Sequence, residues 1–248
     1  MKRHATVVCT SALLTVALSC GVLFATAQTP QGANVILNTK LDAAASTELV
    51  QLVLDFAPGA FTPSHTHGGL GYVSVLEGEI TVREAGKEQK YKVGESWKEL
   101  PGVYAEVGNA AATPARVMAT FLLPKGAALT TTHTGTTNAQ LPPGPTTVAR
   151  SNFDLASLPS SFNLHQLVME FPANSFTPEH THGGVGFVTV LSGQMLVRDK
   201  NGEKTFKTGE TWREMPGEYA VVGNAGTTPA RVAVTFLVPA GSALTTNR

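Results

Sequence analysis

Two histidines two residues apart, His65 and His67 in FTPSHTHGGLGYVSVLEGE, recur as His180 and His182 in FTPEHTHGGVGFVTVLSGQ. Alternate side chains of an extended strand share a face, so each pair presents two imidazoles to the same side. Neutral imidazole ligates first-row divalent ions, but two imidazoles alone make a weak site, since such ions take three or more protein ligands. Glu99 and Glu214 are the best-placed carboxylates to complete the set or to move protons. Each follows a tryptophan by two residues, Trp97 or Trp212, and stands just before a Pro-Gly pair. They are the catalytic candidates, and the four histidines are the metal candidates, with Fe, Mn, Ni, Cu or Zn as the possible ion. Gln51 and Gln166 on the preceding strand are weaker choices, because a neutral amide adds little affinity. Two other roles for the histidines stay open: polar lining of a pocket for an organic molecule, or hydrogen-bonded structural groups.

The elements that position these residues are duplicated. Shifting the chain by 115 residues superimposes Gln51 to Thr131 on Gln166 to Thr246 without a gap, with 47 of 81 positions identical. A repeat of this size is a domain rather than a solenoid unit. Within each copy ELVQLVLDF, YVSVLEGEITVRE and ARVMATFLLP are β-branched or alternating segments, with dense Pro-Gly, Gly-Glu and Gly-Asn punctuation between strands. No helical period of convincing length occurs. The expected class is all-β, with two tandem barrels of six to eight short strands each. The boundaries are 28–131 and 160–248, with a linker and lead-in at 132–159. The lead-ins Ala33 to Thr47 and Thr147 to Phe162 are expected to act as arms that cover a neighbouring sheet edge.

Taken together, these residues resemble the cupin superfamily in its two-domain, bicupin form, whose domains are jelly rolls of the double-stranded β-helix type. Gly59, His65, His67 and Gly78 fit the first family motif in copy one. His180, His182 and Gly193 fit it in copy two, where Asn174 replaces the first glycine. Gly94, Pro101, Gly102 and Asn109 fit the second motif, as do Gly209, Pro216, Gly217 and Asn224. The motif glutamate falls on Gly71 and Gly186, and the motif histidine on Ala105 and Ala220, so the same two usual ligands are missing from both copies. Loss of the glutamate side chain is expected to open volume beside the histidines. The resemblance implies metal-dependent oxygenase, decarboxylase, isomerase or lyase work on small organic acids and phenols. It equally allows a metal-free, non-catalytic binder or a storage-type protein.

Other residues leave two readings each. Trp97, Trp212, Tyr104 and Tyr219 either wall an opening or pack between sheets. Arg116 and Arg231 either pair with a carboxylate or place a polar end at a strand start. Gly108-Asn109 and its copy suggest a turn with positive φ. His133 and His165 have no counterpart in the other copy.

The opening Lys2-Arg3, the apolar run to Phe24 and the ending Ala25-Thr26-Ala27 have the form of a secretory signal peptide over residues 1–27. Both cysteines, Cys9 and Cys20, lie within it, so the exported chain is expected to fold without disulfides. Of 18 basic and 18 acidic residues, removal of Lys2 and Arg3 leaves 16 against 18. Such a surface has no basic cluster for phosphates, and nucleic acid is not an expected partner. A periplasmic or secreted protein is expected, with no membrane attachment after cleavage. It is expected to be a monomer or homodimer with a small-molecule ligand.

Overall fold

A computed structural model describes residues 34–39, 48–133, 143–155 and 161–248, and every regular element among them is a β-strand. Residues 1–27, where the signal peptide is expected, lie outside the described residues.

The all-β expectation holds, but the barrels do not close. Among the described residues four open sheets form instead, two in each half. In the N-terminal half one sheet runs Thr146–Asp154, Glu48–Phe56, Ala115–Leu123, Leu70–Glu77, Ser96–Glu99. The facing sheet runs Thr131–Thr132, His65–Thr66, Ala105–Gly108, Glu79–Glu84, Lys87–Lys92. The C-terminal half repeats this arrangement, with Asn34–Thr39, Phe162–Phe171, Ala230–Pro239, Val185–Ser192, Thr211–Glu214 as its first sheet. Closure would require a hydrogen-bonded ladder between the outermost strands of facing sheets. Here Lys87–Lys92 and Ser96–Glu99 follow each other in sequence yet belong to different sheets, joined by a corner in which Gly94 N–H reaches the Val75 carbonyl. Gly94 has φ of +89°, which a side chain at this corner would disfavour. The outermost strand KEQKYK is charged and exposed, a composition that blunts an open edge.

Apolar side chains from both sheets fill the space between them. Val50, Val73 and Val117 meet Ile80, Val82 and Val107 in the N-terminal half, and Leu167, Val188 and Val232 meet Met195 and Val222 in the other. The first sheets of the two halves then pack on each other through Leu49, Tyr72, Leu122, Leu164, Phe187 and Leu237. The arms cross over. Asn34–Thr39 pairs with Phe162–Phe171 of the C-terminal half, and Thr146–Asp154 pairs with Glu48–Phe56 of the N-terminal half.

Gln51 and Gln166 sit in this contact between halves, not in the cavities where ligand roles would place them. Gln166 accepts from Ser74 Oγ at 2.6 Å and donates to Thr120 Oγ1 at 2.8 Å and to the Tyr72 carbonyl at 3.2 Å. Gln51 does the same with Thr189, Thr235 and the Phe187 carbonyl, and Thr120 and Thr235 hydroxyls join the two networks at 2.9 Å. The strand ELVQLVLDF is buried on both faces, so apolar alternation does not mark which face looks inward. Val50 is inward and Gln51 faces the other half, which puts His165, one position before Gln166, on the interior face of the C-terminal half.

Two smaller expectations resolve in the same way. Arg116 forms a two-pronged pair with Asp55, the Nη2 to Oδ2 distance being 2.8 Å, and Glu77 bridges Arg116 and Arg231 across the halves at 3.4 and 3.7 Å. Gly108 and Asn109 do not take positive φ. Gly108 is required because the Phe61 ring would lie 2.2 Å from an added Cβ, and buried Asn109 locks its loop by donating to the Phe56 and Thr113 carbonyls and accepting from Ala111 N–H.

Candidate metal centre

His65 begins the short strand His65–Thr66, paired with Ala105, and the chain then passes over strand Ala115–Leu123 so closely that a Cβ at Gly69 would sit 2.0 Å from the Leu122 carbonyl oxygen. This close approach lets the His-x-His segment lie against the inner sheet. Both imidazoles point inward, 8% and 7% exposed, and line a cavity of about 200 Å³. The rings meet edge to face at 4.9 Å. His65 Nδ1 lies 2.9 Å from the Pro63 carbonyl oxygen and His67 Nδ1 lies 2.6 Å from that of Leu129. A carbonyl only accepts, so both Nδ1 atoms carry the proton and each Nε2 turns its lone pair to the cavity. Burial pushes the His65 imidazole below its ordinary 6.5. The Pro63 hydrogen bond opposes that shift, the neighbouring His67 adds to it, and Glu99 and the Ala105 backbone oppose it. A neutral ring is the form that binds a metal.

Glu99 arrives from the first sheet, across from the one that carries His65, and stands directly opposite Gly71 in the ladder of Leu70–Glu77 with Ser96–Glu99. The Trp97 indole N–H donates to Oε1 at 3.1 Å, leaving Oε2 3.0 Å from His67 Nε2. With the proton on Nδ1, Nε2 has no hydrogen to give that carboxylate oxygen, and His67 Nε2 is buried without a hydrogen-bond partner. Two donors held about 3.0 Å apart without a mutual hydrogen bond fit neighbouring ligands of one ion with bonds of about 2.1 Å. His65, His67 and Glu99 each bring a ligand atom within 4.8 Å of the others, and among the described residues this is the one such cluster. The donor set therefore fits a divalent ion, with Trp97 orienting the carboxylate as an outer partner.

Glu99 thus supplies, from the adjacent strand, a carboxylate where the first family motif has one on Gly71. The volume expected beside Gly71 is not empty. A Cβ there would meet Phe121 Cε1 at 2.6 Å and Glu99 Cβ at 3.1 Å, and Gly186 meets Phe236 and Glu214 in the same way. Phe121 also packs on the His67 ring at 4.2 Å. Gly71→Ala is accordingly expected to destabilise the fold by about 1–3 kcal/mol through overpacking. In thermal melts Gly71→Ala combined with Phe121→Ala should cost less than the sum of the two single changes. Simple additivity would show that the ring does not occupy the space.

His180, His182 and Glu214 repeat most of these contacts. Their Nδ1 atoms face the Pro178 and Leu244 carbonyls, His182 Nε2 is 3.1 Å from Glu214 Oε2, and Trp212 donates to Glu214 Oε1 at 3.1 Å. The surroundings differ. Ala119 and Leu54, which line the N-terminal cavity, correspond to the larger Val234 and to Met169. Trp97 is part of the cavity wall, whereas Tyr104 is exposed and meets the His133 ring at 5.2 Å. His165 is half-buried, and burial lowers its pKa. Sequence reasoning missed Phe121 as the group that fills the space at Gly71. The paired Gly71/Phe121 and Gly186/Phe236 identities were a signal for it, readable only once the strands are in register.

Solved structures with this fold include an oxalate decarboxylase–formate complex from Lactobacillus farciminis, at 12% identity and TM-score 0.54 over 82% of this chain and 80% of that one. A variant oxalate decarboxylase from Bacillus subtilis matches at 13% identity and TM-score 0.56 over 82% and 71%. At such identities the likeness shows the fold alone. No curated protein sequence is detectably similar. The profile of the cupin domain matches residues 52–121 and again 167–237, more than half of the chain. With two such domains, and a His-His-Glu cluster in the first, the chain belongs to the cupin family as a bicupin.

Proposed function

We propose that this is an exported bicupin whose N-terminal half holds a divalent metal through His65, His67 and Glu99 and binds a small organic molecule in the adjoining cavity. The observation that carries this reading is His67 Nε2, buried without a hydrogen-bond partner and only 3.0 Å from Glu99 Oε2. Two imidazoles and one carboxylate, with coordination positions left open, suit Fe(II), Mn(II) or Zn(II). When bound, such an ion polarises a carbonyl or carboxylate, or activates water or oxygen. Around it, Trp97 fixes the Glu99 carboxylate, the Pro63 and Leu129 carbonyls fix the imidazole tautomers, and the apolar walls exclude water. His180, His182 and Glu214 form the weaker site in this reading, with Glu214 in the place of Glu99. Oxalate decarboxylase from B. subtilis, which shares this fold, has Mn(II) centres, and this supports a metal here. The basic head and Ala-x-Ala ending of residues 1–27 support export to the periplasm or outside the cell.

Metal analysis of the mature chain, purified without a histidine tag, tests this reading. The expected result is about one Fe, Mn or Zn ion per chain, set by a single three-ligand site. Absence of Fe, Mn, Ni, Cu and Zn after incubation with each would end the metal reading and leave the metal-free binder.

A further inference from the structure

The cavity beside His65, His67 and Glu99 restricts the ligand more sharply than the fold does. Its lining is mainly apolar, with Leu52, Leu54, Phe56, Ala119 and the Trp97 and Phe121 rings, and its polar members besides the three candidate ligands are the uncharged Thr62, Thr130 and Thr132. At about 200 Å³ it is somewhat larger than an apolar cavity of about 150 Å³ that takes benzene. Among the described residues that line it there is no lysine or arginine. Lys98, next to Glu99 in sequence, lies over the Tyr72 ring on the opposite strand face.

Charge then decides between ligand classes. Two neutral imidazoles, the Glu99 carboxylate and a divalent ion sum to one positive charge. A ligand with a single anionic oxygen neutralises it, whereas a compact dicarboxylate leaves one uncompensated negative charge among apolar walls, where burial is costly. Resting on the metal reading above, we infer that the N-terminal site takes a ring-sized, mainly apolar molecule carrying one oxygen donor, of the phenol class, and discriminates against dicarboxylates.

Binding of 4-methylphenol and of oxalate to the untagged, metal-loaded protein tests this, followed by fluorescence of Trp97 in a Trp212→Phe background. 4-Methylphenol is expected to bind at least about tenfold more tightly than oxalate, and Ala119→Phe, which fills the cavity, to weaken it by a similar factor with metal content unchanged. If Ala119→Phe does not fold, Leu54→Phe closes the same space. Equal or tighter oxalate binding, or 4-methylphenol binding that ignores both substitutions, overturns the inference. The metal content of the same samples separates the two ideas. Retained metal with preferred oxalate defeats the ligand class alone, and 4-methylphenol binding blocked by Ala119→Phe in protein that retains no metal defeats the metal reading alone.

Discussion

Replacing Glu99 with glutamine is expected to lower the affinity of the N-terminal half for a divalent ion by at least about 100-fold, while the melting temperature stays close to that of the parent. Loss of a partner outside the ligand shell costs about 10–100-fold in metal affinity, and loss of a charged ligand lies at or beyond the upper end of that range. Glutamine keeps the shape of the side chain and an oxygen for the Trp97 indole N–H, so packing is preserved while the only charge in the three-ligand cluster disappears. Trp97→Phe removes the orienting hydrogen bond and retains an aromatic wall, and it should cost about tenfold. Glu214→Gln should leave the tighter binding step unchanged, because Glu214 belongs to the other half. Calorimetric titration of each untagged variant with Mn(II) or Zn(II) gives the comparison. Parent-like affinity in Glu99→Gln would remove Glu99 from the ligand set.

The second large effect concerns stability. Gln166→Leu deletes an amide that meets Ser74, Thr120 and the Tyr72 carbonyl, all on the other half and all buried. Leaving buried polar groups short of partners costs about 1–3 kcal/mol, or a few degrees of melting temperature for each kcal/mol at this chain length. Gln51→Leu should behave alike. The double variant should depart from additivity, because the Thr120–Thr235 hydrogen bond couples the two networks. Neither change should alter metal affinity, which separates the part these residues play from that of ligands. An unchanged melting temperature in Gln166→Leu would show that the network does not help hold the halves together.

Much of the candidate site was legible in the chain before any strand was placed. His65 and His67 share a face by strand geometry alone, and Glu99 stood out by its position after Trp97 and before the Pro-Gly turn, with the second copy repeating both. Barrel closure was not legible. Whether Lys87–Lys92 and Ser96–Glu99 share a ladder depends on the corner between them, and short strands with turn punctuation are common to barrels and to facing open sheets. The direction of Gln51 and Gln166 was hidden for a different reason. Their strands are buried on one face by the core of their own half and on the other by the neighbouring half, so both faces are apolar and neither is marked.

By itself, the sequence determined the duplication, the all-β class, the cupin motifs and the identity of the paired histidines and glutamates, because strand periodicity and turn chemistry are local. Tertiary structure alone decided that Glu99 stands across the ladder from Gly71, that Phe121 occupies the space there, and that Ala119 leaves a cavity where Val234 adds bulk. These are meetings between residues 20 or more positions apart, fixed by register and packing, which no local pattern encodes.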